Sequence, residues 1–461
     1  MLSLDDQAVS AQDLEQQFAL LRQLADTHNW YGRRLAFCTS DIFQWLALVL
    51  FCRQNSISLA PIHGDTPEQA AGDKAAEMGC DFLLWQTATH TRPLTPNAIH
   101  SRPAVENTRA GLLQFSSGTT GRPKLIARSW ASIDREIKSY NRALGPAGEF
   151  QPVVACPISH SYGLISGVLS ALERGREPHI VSGINSRHLL SVVDRYQQPL
   201  VYSSPQFLYT ATTLLAPGKK LFAAMTSGTV MPAPWFTSVQ QKTGYLLQQY
   251  GCSEAGCISV AHRPSQANML GKPLDHIRLS DDFLTFQQGD PPSESSAAGS
   301  QNGSPVSPQE ILVEVDEQRI QTQDLGYGDN SGNLYFFSRQ DDTIIVSGFN
   351  VYPAEVEDVL LAHPDIDDVV VFRLPDNTAN ILGAPAPSDS AGSRVAALYC
   401  GKRELKKSEM RRWCQQALAP YQWPTVIEKL PRIPRLPNGK ISRRQLTRDY
   451  LAGCLNQDAV A

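Results

Sequence analysis

The sequence has no excess of positive charge. Its 41 Lys and Arg stand against 45 Asp and Glu, a formal net charge of −4. That balance leaves no electrostatic footprint for a nucleic acid partner. It also lacks any CxxC pair. The nine cysteines (Cys38, Cys52, Cys80, Cys156, Cys252, Cys257, Cys400, Cys414 and Cys454) are scattered and odd in number. Neither a zinc site nor a disulfide framework is indicated. The opening MLSLDDQAVS has no basic n-region and no apolar h-region, unlike a secretory signal peptide. The longest strongly apolar stretch, Trp45 to Cys52, is far too short to span a bilayer. These absences predict a soluble protein of a reducing, cytoplasmic compartment.

What is present is enough to build large cores. Apolar residues make up 42% of the 461 and charged residues only 19%, which is a globular composition. That length exceeds one compact core and predicts two domains. Over the first 250 residues, apolar runs of four to six residues alternate with amphipathic helical patterns. Examples are the strands at 152–156, 179–182, 200–203, 221–226 and 245–249, with helices at 163–175, 187–197, 205–216 and 233–243 between them. Such alternation predicts parallel sheets flanked by helices. The stretch 287–308 is rich in Gly, Pro and Ser and reads as a loop or linker. Strands follow at 311–320 and 333–337. From about residue 340 the pattern becomes a small α+β unit, with a second loop-like patch at 375–392. The expected division is therefore residues 1–339 and residues 340–461.

Four segments carry chemistry. Ser116-Ser117-Gly118-Thr119-Thr120-Gly121-Arg122-Pro123-Lys124 follows the strand-like 111–115. Glycines let backbone N–H groups approach phosphates, hydroxyls donate to them, and Lys supplies charge. The Walker A pattern is not satisfied. Tyr250-Gly251-Cys252-Ser253-Glu254 ends a predicted strand. Its carboxylate can hold Mg²⁺ beside nucleotide phosphates, and its aromatic ring offers a flat face for a base. Asp324 can accept hydrogen bonds from a ribose diol, and Arg339 can donate to the same sugar or to a phosphate. Leu436-Pro437-Asn438-Gly439-Lys440-Ile441 contains an Asn-Gly turn signal and places Lys440 at a loop tip. Taken singly, each segment also fits a plain structural role: a flexible turn, a solvated Glu, an exposed ion pair, a surface Lys.

Together and in this order, the segments resemble the superfamily of adenylate-forming enzymes: acyl-CoA synthetases, aryl-CoA ligases, nonribosomal-peptide adenylation domains and luciferases. The resemblance runs from about Gly111 to Leu446 and is strongest in SSGTTGRPK, in SRQDDTIIVSGFNVYPAEVEDVL and in LPNGKISR. It implies a large AMP-binding domain and a small mobile α+β domain that carries a catalytic lysine. It also implies ATP-dependent activation of a carboxylic acid as acyl-AMP with release of pyrophosphate. Transfer to a thiol follows, either of CoA or of a phosphopantetheinyl carrier protein. On this resemblance Ser116, Thr119, Thr120 and Lys124 lie over the β- and γ-phosphates. Ser227, Gly228 and Thr229 form the adenine-side segment, with Tyr250, Gly251 and Ser253 flanking the base. Glu254 binds Mg²⁺, and Asp324 and Arg339 hold the ribose hydroxyls. Asp341 is the hinge. Gly348 and Asn350 lie near the thiol channel, and Lys440 meets the substrate carboxylate and α-phosphate.

The sequence departs from the family pattern in places. Gln323 replaces the usual Gly between Thr and Asp, and Ser253 replaces Thr. A Gly-Tyr turn before Asp324 is missing where 287–308 stands, and Ile345 occupies a commonly basic position. These changes keep open a second reading, a catalytically impaired nucleotide-binding or partner-docking protein on the same fold. The segment Cys156-Pro157-Ile158-Ser159-His160-Ser161-Tyr162-Gly163 lacks the Phe-Asp pair of amino-acid-activating members. It resembles acyl- and aryl-CoA ligases, in which the His-x-Tyr-Gly stretch edges the acid pocket. That implies an aryl or short- to medium-chain acid without an α-amino group, with His160 at the pocket edge as a catalytic residue beside Lys440 and Glu254.

Overall fold

The computed structural model describes residues 2–94, 110–116, 124–183, 185–280, 308–346, 349–375, 393–436 and 440–455. A 13-stranded mixed sheet is the backbone of the large lobe. Its middle is parallel: strands His179–Ile180, Gln151–Ala155, Pro199–Ser203, Leu221–Thr226 and Thr243–Cys252 lie side by side in that order. Beyond Thr243–Cys252 the sheet turns antiparallel, through Gly256–His262, Met269–Pro273, Leu334–Arg339, Gln318–Gly328 and Gln309–Val315. A second sheet of six strands has a parallel middle, with Arg34–Thr39 between Ser58–His63 and Phe82–Trp85. The expectation of parallel sheets thus holds for their central strands. The antiparallel half comes from hairpins, which need no helical crossover.

Helices cover both faces. Helix Ile42–Gln54 is buried along most of its length and reads as a continuous apolar run because it lies between layers. Helix Trp130–Leu144 buries Trp130, Ile133, Ile137, Tyr140 and Leu144, one stripe at helical spacing. It starts directly from strand Lys124–Ser129, with the Ser129 hydroxyl accepting from Ser132 N at 3.1 Å. The expected helix 163–175 begins as a π-helix at Tyr162–Leu169 and continues as α-helix at Ser170–Glu173. The expected strand 311–320 is broken by a turn in which Asp316 and Glu317 take positive φ. Gln309–Val315 and Gln318–Gly328 are its two arms.

Residues 344–455 build apolar clusters that share no member with those of the large lobe. Their sheet pairs Ile366–Pro375 antiparallel with Ser393–Gly401, which runs parallel to Val426–Lys429. Helices Pro353–Leu361, Lys407–Cys414 and Arg443–Leu451 complete this small α+β lobe. Among the described residues no helix is long and apolar enough to cross a membrane.

Candidate functional site

A cleft of about 890 Å³ opens where the parallel strands of the large lobe end. Ligands in open α/β sheets bind at this edge, outside the carboxyl ends of the strands. Strand Leu221–Thr226 delivers Ser227, Gly228 and Thr229, and strand Thr243–Cys252 delivers Tyr250, Gly251, Ser253 and Glu254. The hydroxyl of Tyr162 donates to Met225 O at 2.7 Å, which fixes the end of the first of these strands from behind. The amide nitrogen of Gln248 donates to Ala267 O and Met269 O at 3.1 and 3.0 Å, which pins the second.

The antiparallel half contributes Asp324 and Arg339. These residues face each other across strands Gln318–Gly328 and Leu334–Arg339, so both project from one side of the sheet. The Asp324 carboxylate accepts from the Tyr250 hydroxyl at 2.8 Å and pairs with Arg339 at 3.3 Å. Burial pushes the Asp324 carboxyl above its ordinary value, against the pull of Arg339, the Tyr250 hydroxyl and Lys440. Burial also raises the Tyr250 phenol, and Asp324 adds to that rise. On Arg339 burial opposes the charge, yet Asp324 and Asp341 hold its pKa above the ordinary value. Arg339 also donates to Asp341 at 2.9 Å. Gln323 sits in the left-handed region at φ 62°, and its N–H donates to Glu310 at 3.0 Å. Gln thus adopts the backbone conformation that glycine would take without strain.

Lys440 enters the same cleft from the small lobe. Gly228 has φ +103°, and a Cβ there would stand 3.6 Å from Lys440 Cε. The lysine stem therefore lies over the Ser227–Thr229 segment. Burial and the Arg339 guanidinium push the Lys440 ammonium below the ordinary lysine value, opposed by Asp324, Cys252 and Glu254. By surface area Lys440 is nonetheless an exposed residue, which limits how far burial can act on its charge. Lys124 also lines the cleft, at the start of its strand.

Other expected residues stand apart. His160 is not among the residues lining the cleft. It begins the turn into the π-helix, with Leu164 N donating to its carbonyl at 2.9 Å. Desolvation, then Lys440 and His63, lower its pKa from the ordinary imidazole value, although the residue keeps an exposed surface. Asp341 lies outside the lining, while its neighbour Asp342 is part of it. Asn350 is exposed and 3.5 Å from the Tyr352 hydroxyl. Thr119, Thr120, Gly348 and the side chain of Ser116 lie outside the described residues.

Sequence reasoning did not single out Arg435 and Arg443, which also line the cleft. Arg435 pairs with Asp368 at 2.8 Å. Arg443 pairs with Asp342 and Glu357 at 2.7 Å each and donates to Val371 O at 2.8 Å. Their signal was position, since they bracket Leu436–Ser442. Cys252 lines the cleft too, but burial, reinforced by Glu254, pushes its thiol up to about 12. It is therefore a poor nucleophile. Among the described residues no group of three His, Cys, Asp or Glu could enclose a metal ion. A single cleft carboxylate such as Glu254 still suits Mg²⁺, which keeps most of its shell as water and phosphate oxygen.

Comparison with known proteins identifies the family. Residues 32–282 match the family described as AMP-binding enzyme. A 3,4-dihydroxybenzoate–[aryl-carrier protein] ligase of Bacillus anthracis is 33% identical over 447 residues, 97% of this chain and 98% of that protein. A 2-succinylbenzoate–CoA ligase of Bacillus subtilis is 26% identical over 348 residues, 72% of this chain and 68% of that protein. The fold matches O-succinylbenzoate coenzyme A synthetase from Bacillus subtilis in complex with AMP, with a TM-score of 0.74, 21% identity and coverage of 96% and 94%. It also matches ATP-bound MatB from Rhodopseudomonas palustris, with a TM-score of 0.75, 16% identity and coverage of 98% and 96%. With Tyr250, Glu254, Asp324, Arg339 and Lys440 lining one cleft, and with similarity over nearly its whole length to a ligase of this kind, the chain belongs to the AMP-binding enzyme family.

Proposed function

We propose that this chain activates a hydroxylated aryl acid as its adenylate and passes the acyl group to the phosphopantetheine thiol of a carrier protein. The relatives are ligases that join an aryl acid to a carrier protein or to CoA, which supports a course from acid and ATP to acyl-AMP and then to a thioester. The choice of aryl acid and carrier protein rests on the full-length similarity to the dihydroxybenzoate ligase. The observation that carries the mechanism is the position of Lys440, whose stem lies over Gly228 in the cleft that Tyr250, Glu254, Asp324 and Arg339 also line.

In this reading ATP lies along the cleft. Its ribose hydroxyls donate to Asp324, which Tyr250 and Arg339 hold in place. Its adenine rests between Tyr250 and the Ser227–Thr229 segment, with Gly251 and Ser253 alongside. Lys124 faces the outer phosphates, and Ser116, Thr119 and Thr120 keep the phosphate-binding role that the family resemblance gives them. Glu254 would hold Mg²⁺, which when bound neutralises charge on the phosphates and the leaving pyrophosphate. The acid carboxylate attacks the α-phosphorus. Lys440 offsets the repulsion of the two anions and stabilises the charge that develops. His160, outside the lining but within the electrostatic reach of Lys440, is assigned to position the acid.

The two lobes, residues 1–339 and 340–461, act as domains in this mechanism, and Asp341 is the hinge about which the smaller one turns. Turning brings Gly348 and Asn350 to the thiol channel, so one cleft serves two reactions. The nine cysteines are all unpaired, as suits a cytoplasmic enzyme.

The test is exchange of labelled pyrophosphate into ATP over a panel of hydroxybenzoates, 2-succinylbenzoate, malonate and medium-chain acids, followed by addition of CoA or an aryl carrier protein. A hydroxybenzoate should give the highest exchange and the carrier protein the faster acyl loading. ATP binding without exchange for any acid overturns the enzymatic reading.

A further inference from the structure

Helix Ala233–Gln241 follows directly on the Ser227–Thr229 side of the cleft. Its N-cap residue is Pro232, which has no side-chain acceptor to offer. The first N–H groups of a helix find no acceptor within it and need one from outside. Pro234, second in the helix, has no N–H, so Ala233 carries the outermost free donor. Its acceptor comes from the other lobe. The Oδ1 of Asp358, on helix Pro353–Leu361, accepts from Ala233 N at 2.9 Å. A carboxylate at this end of a helix satisfies the donor and also meets the positive end of the helix dipole. A second contact joins the lobes: Phe337 of the large lobe and Tyr352 of the small lobe meet edge to face, with centroids 4.5 Å apart at 73°.

We infer that Asp358 is a positioning residue, a latch that caps helix Ala233–Gln241 only while the small lobe is docked with Lys440 in the cleft. Any turn of the small lobe about residues 340–342 carries Asp358 away and leaves Ala233 N–H to water. The latch therefore favours the arrangement for acid activation over the arrangement for thioester formation. This inference rests on the proposed two-step mechanism and adds to it the contact that biases the lobes. Loss of a cap side chain shifts such an equilibrium about fivefold.

The experiment uses full-length wild type, Asp358→Ala and Asp358→Asn. Pyrophosphate exchange reads the first half-reaction. Thioester formation from synthetic aryl-adenylate and carrier protein reads the second. Asp358→Ala should slow exchange about two- to fivefold while thioester formation stays unchanged or quickens. Asp358→Asn, which keeps an acceptor oxygen, should restore at least half of the lost exchange. The intact second half-reaction shows that the small lobe is folded. Equal change in both half-reactions, or none in either, overturns the latch. Absence of exchange in the wild type instead overturns the mechanism on which it rests.

Discussion

Replacing Tyr250 by Phe keeps the aromatic ring in the cleft and removes only the hydroxyl that donates to Asp324 at 2.8 Å. Asp324 is 7% exposed, so water replaces the lost donor poorly. A hydrogen bond to a charged group contributes about 1.5–3 kcal/mol. Arg339 still holds the carboxylate from 3.3 Å, which sets the loss near the lower bound, about 1.5 kcal/mol or tenfold. The expected outcome is a roughly tenfold drop in kcat/KM for ATP, read by pyrophosphate exchange at varied ATP. The pH profile should move as well. Burial already holds the Asp324 carboxyl above its ordinary value, with Arg339 first and the Tyr250 hydroxyl next pulling it down. Removing the hydroxyl raises it further. Asp324 must be ionised to accept from ribose, so it works above its pKa and fails as pH falls through it. The acid limb of the variant should therefore lie at higher pH than that of the wild type. A KM for ATP within twofold of wild type, with superimposable acid limbs, would refute the assignment of Asp324 to the ribose.

Two further outcomes follow from the small lobe. Lys440→Ala should lower pyrophosphate exchange by about a hundred- to a thousandfold, the scale of losing one preorganised charge at a reacting centre. Thioester formation from supplied adenylate should stay within about threefold, and equal loss in both steps would remove Lys440 from the first. Arg443→Ala strands the carboxylates of Asp342 and Glu357, which are 23% and 13% exposed. Breaking a buried pair costs about 3–5 kcal/mol, and partial solvent access reduces this to about 2–3 kcal/mol, measured by denaturant unfolding. Arg443→Lys should recover only part of it, because one ammonium cannot reproduce a fork that reaches Glu357 by two bonds and Asp342 by another. Wild-type stability in the Ala variant would show that this cluster contributes nothing.

Much of the cleft was legible in the sequence, because its parts are short, ordered segments at strand ends. The strand that ends at Cys252 reads as an apolar run, and Tyr250 to Glu254 must then emerge at its carboxyl edge. The reach of Lys440 was legible only through the family resemblance, since no local pattern tells which lobe a loop tip will meet. Pairings between distant segments were not legible at all. Glu136 lies on the buried side of helix Trp130–Leu144 and interrupts its apolar face. It is tolerated because Arg128 bonds it at 2.6 Å and Cys257 N donates to it at 2.8 Å. The contact of Asp358 with Ala233 N–H spans 125 positions and has no signature in either neighbourhood. The antiparallel half of the main sheet was missed for a similar reason. Strand periodicity alone does not separate hairpin from crossover.

The turn between Gly328 and Leu334 has a consequence for chain length. It closes the ladder that, with one bulge at Leu325–Gly326, sets Asp324 opposite Arg339, and Asp329 secures it by accepting from Ser331 N, Asn333 N and the Tyr335 hydroxyl. Side chains in a strand alternate between faces, so slipping the ladder by a single position would aim one of the two away from the nucleotide. Insertions or deletions of one residue here should be far more damaging than those of two. Recombined enzymes that splice in this hairpin need crossover points that preserve its parity.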